Sequence, residues 1–135
     1  MKHSLMYVAL LVRDYDEALD YYIGKLNFTL HEDTYIESQD KRWVVVTPGG
    51  SSGTSIVLAR AADSQQMKWV GNQAAGRVFL FLQTDDLIKD YKSLCKSGVE
   101  FVREPETFSY GKVAVFKDLY GNLWDLIESV PKNCG

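Results

Sequence analysis

Gly76-Arg77-Val78-Phe79-Leu80-Phe81-Leu82-Gln83-Thr84-Asp85-Asp86 reads as a strand that runs straight into the start of a helix. Tyr7-Val8-Ala9-Leu10-Leu11-Val12-Arg13-Asp14-Tyr15-Asp16 has the same layout seventy positions earlier. Val78 then matches Val8, Arg77 matches Tyr7, and Asp90-Tyr91 matches Asp20-Tyr21. A fixed offset of this kind marks one module written twice, so the repeat governs how the rest is read.

Outward from these two stretches the modules fill in alike. Residues 5–12 are a continuous apolar run, the pattern of a strand buried on both faces. Asp14 offers a helix N-cap, with Asp16 and Glu17 in the first turn. Ala18, Leu19, Tyr22, Ile23 and Leu26 follow at helical spacing. Strands are expected over 28–33, 42–47 and 54–60, separated by a polar turn at 37–41 and a Gly/Ser-rich mobile loop at 48–53. Residues 61–75 join the modules, with a short helix through Met67, Trp69 and Val70. The second module opens with a strand over 77–82. Thr84 or Asp85 caps a helix carrying Leu87, Ile88, Tyr91 and Leu94, which stops near Gly98. Strands follow over 99–103, 112–116 and 123–128. Pro105 is expected to break the chain before a loop through Tyr110-Gly111. Residues 131–135 read as a frayed tail.

The expected fold class is α+β: two tandem βαβββ modules, about 5–60 and 76–128, forming a curved, cavity-enclosing mixed sheet in a single domain over 1–135. Each module lays its helix on one sheet face. Strand alternation then sends Tyr7, Ala9 and Leu11 away from the first helix if Val8, Leu10 and Val12 face it. By the same count Arg77, Phe79 and Phe81 face away from the second helix, as do Asp125 and Ile127; Val57 and Ala59 face away from the first.

Composition narrows the function. The 135 residues are 46% hydrophobic and 24% charged, an ordinary globular balance. Fifteen Lys and Arg against eighteen Asp and Glu give a net charge of −3, and no basic run appears, so nucleic acid is not an expected partner. No apolar run approaches the ~18 residues of a spanning helix, so no membrane partner is expected either. Lys2 and His3 lead directly into a strand, without a signal-peptide layout. Cys95 and Cys134 make neither a disulfide framework nor a zinc knuckle, and a reducing cytoplasm is the expected location. Cys95 reads as partly buried packing behind the helical stripe.

Two local patterns carry a resemblance. One is Val12-Arg13-Asp14 followed by Ala18, Tyr21 and Tyr22. The other is the closing Phe116-Lys117-Asp118-Leu119-Tyr120-Gly121-Asn122-Leu123-Trp124-Asp125-Leu126-Ile127-Glu128. With the duplicated layout they make residues 5–128 resemble the vicinal oxygen chelate superfamily. That group includes glyoxalase I, the bleomycin and fosfomycin resistance proteins and the extradiol dioxygenases. Metal-dependent members take their ligands from four inward strand positions, typically two His and two Glu. The resemblance puts Tyr7, Val57, Arg77 and Asp125 at these positions. Only Asp125 is a suitable donor; Val57 has no donor atom, and Arg77 is a fixed cation. The resemblance therefore implies a member with no metal and no cofactor. It also implies a homodimer, for which Met67–Val70 is the candidate contact.

The candidate binding residues each carry two readings. Arg77 and Asp125 either orient a polar group of a ligand or form an internal salt bridge in place of the metal. Tyr7 either presents its hydroxyl to a ligand or packs with that hydroxyl satisfied. Phe79 and Phe81 either stack on a planar ligand or belong to the core. Trp43, Trp69 and Tyr110 lie near loops, where they rim a cavity or pack between subunits. The expected function is binding of a small organic molecule, with sequestration of or resistance to a toxic compound as its purpose. The alternative is a metal-dependent glyoxalase-like lyase or dioxygenase drawing donors from Glu128, His31 or a partner chain.

Overall fold

Asp14 and Asp86 start the two main helices in the same way. Asp14 is extended, and each of the two side chains accepts a backbone N–H three residues on: from Glu17 at 2.8 Å and from Lys89 at 3.2 Å. This pays back one of the donors that a helix start leaves unpaired. The computed structural model describes residues 1–50 and 52–130; the expected tail at 131–135, with Cys134, lies outside the described residues, as does Ser51 of the expected loop.

Residues Met1–Val70 and Gly71–Gly135 form two compact units. The first contains β1 (Tyr7–Val12), α1 (Tyr15–Gly24), β2 (Thr29–Ile36), a 3-10 turn (Glu37–Gln39), β3 (Lys41–Thr47), β4 (Ser55–Arg60) and the single-turn α2 (Ser64–Met67). Its four strands lie in the order β1-β4-β3-β2, with β1 and β4 parallel and the other pairs antiparallel. The second unit contains β5 (Val78–Gln83), α3 (Leu87–Lys96), β6 (Glu100–Phe108), β7 (Gly111–Lys117) and β8 (Leu123–Ser129). The order β5-β8-β7-β6 and the pairing senses repeat the first sheet. Both modules are thus βαβββ, as the repeat predicts. Among the described residues no helix is long and apolar enough to cross a membrane.

Each sheet buries one face against its helix. In the first unit Leu10, Val12, Val44, Val46, Ile56 and Leu58 are buried together with Ala18, Tyr21 and Tyr22 of α1. In the second, Tyr91 of α3 meets Phe101 (ring centroids 4.7 Å apart), Phe101 meets Phe116 (5.6 Å), and Phe116 stacks on Trp124 (5.6 Å). This aromatic line marks the α3 side of the sheet. Cys95 is exposed instead of partly buried, because it falls beside the stripe set by Leu87 and Leu94.

Three strands depart from simple alternation, each by one extra residue. Val78 pairs with Leu123 but Leu80 with Trp124, so Phe79 is bulged out of step. Leu30 pairs with Val46 and Glu32 with Val45, which bulges His31; Phe101 pairs with Phe116 and Arg103 with Val115, which bulges Val102. The helix caps at Asp14 and Asp86 are seventy-two positions apart, not seventy, of which the Phe79 bulge supplies one, and α3 begins after Asp86, beyond Thr84 and Asp85. Thr84 instead accepts the Asp86 N–H at 3.2 Å and ties its hydroxyl to Asp90. Pro105 does not end β6, which continues to Phe108. That strand is at the sheet edge, and its pairing is irregular between Arg103 and Glu106, where a residue without an N–H is tolerated.

Candidate functional site

Cross-strand register places Phe81, Asp125, Val115 and Arg103 in one row across β5, β8, β7 and β6. The neighbouring row holds Phe101, Phe116, Trp124 and Leu80 on the α3 side. Alternation therefore puts the Phe81–Arg103 row on the opposite face. With strands about 4.8 Å apart, the row spans roughly 14 Å between its outer Cα atoms. Phe81 is 67% exposed although it sits within the strand. Asp125 is half-buried, and that burial pushes its carboxyl above the ordinary range while the positive charge of Arg103 draws it partly back. The two side chains form no ion pair among those found in the described residues, so Arg103 acts on Asp125 through space.

Of the residues expected to line a site, the structure brings Phe81 beside Asp125. Arg77 is exposed in the bend before β5 and lies outside that row. Phe79 is half-buried at its bulge. Tyr110 follows β6, 60% exposed, and stacks on Phe108 with centroids 5.3 Å apart and planes 6° from parallel. In the first unit Tyr7 and Trp43 meet edge to face at 5.9 Å and 64°. Both belong to the alternation that faces away from α1. Trp69, just after α2, is 53% exposed.

The side chains do not fit the metal that the resemblance suggests for this fold. Tyr7 offers a phenol, Val57 nothing, Arg77 a cation, and Asp125 a single carboxyl, which leaves too few donors for an ion. Among the described residues no three His, Cys, Asp or Glu side chains are grouped to hold an ion. Glu128 is committed elsewhere: it accepts the Leu87 N–H at 2.8 Å at the start of α3, with Lys112 Nζ at 3.9 Å. His31 is exposed on its bulge.

Arg103 is the residue that reading the sequence missed. Simple alternation from Phe101 puts Val102, not Arg103, on the open face, and the bulge reverses this. The corresponding row in the first sheet is Ala9, Val57, Val45 and Glu32, also set by a bulge one residue before its last member. That row carries neither a cation nor an aromatic ring. Two open hollows in the first unit lie away from the expected residues. One of about 470 Å³ is lined by Ala61, Ala62, Met67 and Lys68, and one of about 240 Å³ by Thr29, His31, Thr47 and Pro48.

Comparison with known proteins agrees with this architecture. The family model described as Glyoxalase/Bleomycin resistance protein/Dioxygenase superfamily matches residues 4–126. An uncharacterised protein of Shewanella frigidimarina (strain NCIMB 400) is 59% identical, over 95% of each chain. YurT of Bacillus subtilis (strain 168) is 30% identical over 93% of this chain and 98% of its own. Among solved structures, UcmS2 superposes with a TM-score of 0.82 at 27% identity, covering 94% of this chain and 98% of that one. TnmS3, described as an antibiotic binding protein from Streptomyces sp. CB03234, gives 0.77 at 28%, covering 96% and 98%. The chain belongs to the glyoxalase/bleomycin resistance protein/dioxygenase superfamily.

Proposed function

We propose that this protein binds a small organic molecule and releases it unchanged, sequestering a toxic compound. The observation that carries the reading is Phe81, two-thirds exposed within a strand and in register with the half-buried Asp125. An apolar ring beside one polar group is the usual make-up of a small-molecule site. The likeness to TnmS3, whose description is antibiotic binding, supports the same reading. In this proposal Arg77, Phe79 and Tyr110 border the open face of the second sheet, and Tyr7 with Trp43 offers a separate aromatic surface on the first. The protein works as a single domain and a homodimer in the cytoplasm, with Met67–Val70 at the dimer contact.

The test is a thermal-shift screen of aromatic natural products against the full chain, followed by calorimetry on the best binder. The expected result is saturable binding, with mass spectrometry recovering the compound intact after long incubation. Conversion of the compound, stopped by chelator and restored by a divalent metal, would sink the reading and favour a lyase or dioxygenase.

A further inference from the structure

We infer that Arg103 and Asp125 together hold an acidic oxygen group, a carboxylate or an ionisable hydroxyl, on an aromatic ligand whose ring lies against Phe81. The inference rests on the small-molecule-binding reading above and specifies the chemistry of what is bound.

Three features of the second sheet point this way. The first is the ring. A phenylalanine left 67% exposed within a strand keeps much of its apolar area in water, which a flat ligand would cover. The second is the bulge at Val102. It interrupts the pairing of β6 with β7, and its effect is to turn Arg103 onto the row that already holds Asp125. Bulges often serve to re-aim one side chain near a site.

The third feature is the unfilled relation between the two charges. Val115 stands between them in the row, and they make no direct ion pair among those found in the described residues. A guanidinium presents a planar fork of N–H donors suited to two oxygens of one acidic group. Asp125 completes the arrangement from the other side. Burial raises the pKa of its carboxyl, and an acidic group brought beside it favours the protonated form further, the form that donates an O–H to the ligand oxygen. The order along the row is then ring, hydrogen-bond donor, spacer, cation. An aromatic acid has the matching sequence of parts. The first sheet, with Ala9, Val57, Val45 and Glu32 in the corresponding row, lacks both the ring and the cation. The arrangement is therefore particular to the second module and not a by-product of the repeat.

The experiment compares 2-naphthoate with its methyl ester by calorimetry on the full chain. These probes share the ring and differ in the acidic group. The acid is expected to bind about tenfold more tightly or better, the effect of one charge-assisted contact. Arg103→Gln should bring the acid down to the level of the ester. Arg103→Lys should keep part of the preference, and Phe81→Ala should weaken both probes alike. Arg103 is exposed on an edge strand, and a thermal melt of each variant verifies that the fold survives. Equal binding of acid and ester, or a preference that persists in Arg103→Gln, overturns the inference while the binding function stands. Absence of binding by both probes at millimolar concentration also overturns it; the intact-ligand screen then decides the broader reading separately.

Discussion

The indole Nε1 of Trp124 donates a 3.1 Å hydrogen bond to the buried carboxylate of Asp118. The same carboxylate accepts the backbone N–H groups of Tyr120, Gly121 and Asn122, each at 3.0 Å, and the Asn122 side-chain amide at 3.1 Å. One side chain thereby fixes the β7–β8 turn and sets the start of β8, on which Asp125 follows directly after Trp124. Asp118→Ala leaves several of these donors buried and unpaired, at about 1–3 kcal/mol apiece for those that water cannot reach. A loss of at least about 3 kcal/mol in urea unfolding is expected, with Asp118→Asn losing clearly less. Equal small losses for both would mean that the carboxylate is not what holds the turn.

Gly71 tests the packing of the segment that leads into β5. It has φ of +81°, and a Cβ placed there would lie 1.8 Å from the carbonyl oxygen of Tyr120. Nearby, the Gln73 N–H reaches the Asn122 side chain at 3.3 Å. Gly76 has a similar φ of +87° but open space around it. Gly76→Ala should therefore cost only the backbone preference, about 1 kcal/mol. Gly71→Ala adds a backbone clash and should cost about 3 kcal/mol or more. Thermal melts of the pair isolate the clash, and indistinguishable melting temperatures would refute the close approach.

How far the sequence led depends on which physical rule was in force. The helix faces, the Asp14 cap and the βαβββ repeat follow from local periodicity and hydrogen-bonding chemistry, and all were legible. Asp125 and Phe81 were correctly placed on the strand face away from α3, because alternation from Trp124 and Leu80 holds where no residue is inserted. Arg103 was not legible. A bulge depends on how two strands distant in sequence pair, and nothing in Phe101-Val102-Arg103 itself signals one. The Phe79 bulge is likewise hidden and accounts for one of the two residues by which the module offset falls short, an offset that matches Arg77, outside β5, to a position within β1. Pro105 misled for a related reason, since its penalty applies to a paired N–H and β6 lies at an edge with irregular pairing.

Asp125 should leave a signature in the pH dependence of stability. Its carboxyl is raised above the ordinary value of 3.8, chiefly by burial. As pH rises through that value the unfolded chain releases this proton first, while the folded chain still holds it. The folded state then binds more protons, so this group's contribution to stability falls with rising pH until the folded carboxyl ionises. Asp125→Asn cannot ionise and lacks the effect. Urea unfolding at about pH 4 and about pH 7 should thus show the wild type losing ground relative to Asp125→Asn as pH increases. The opposite trend would mean that Arg103 outweighs burial and the site holds a settled carboxylate.

The Tyr7–Trp43 contact allows the first sheet's aromatic surface to be measured apart from the second. The rings meet edge to face at 5.9 Å, from β1 and β3, with β4 lying between those strands. Edge-to-face pairs add about 0.5–1.5 kcal/mol beyond the area they bury, so a Tyr7→Ala, Trp43→Ala double-mutant cycle should give a coupling near 1 kcal/mol. Tyr7→Phe keeps the ring and should retain that coupling, which separates ring packing from any role of the hydroxyl. If the surface also receives ligand, Tyr7→Phe would weaken a compound that uses the hydroxyl without moving the melting temperature. Loss of stability in Tyr7→Ala and Trp43→Ala, without loss of affinity in any of the three variants, would assign the pair to packing and leave the Phe81–Asp125–Arg103 face to account for binding.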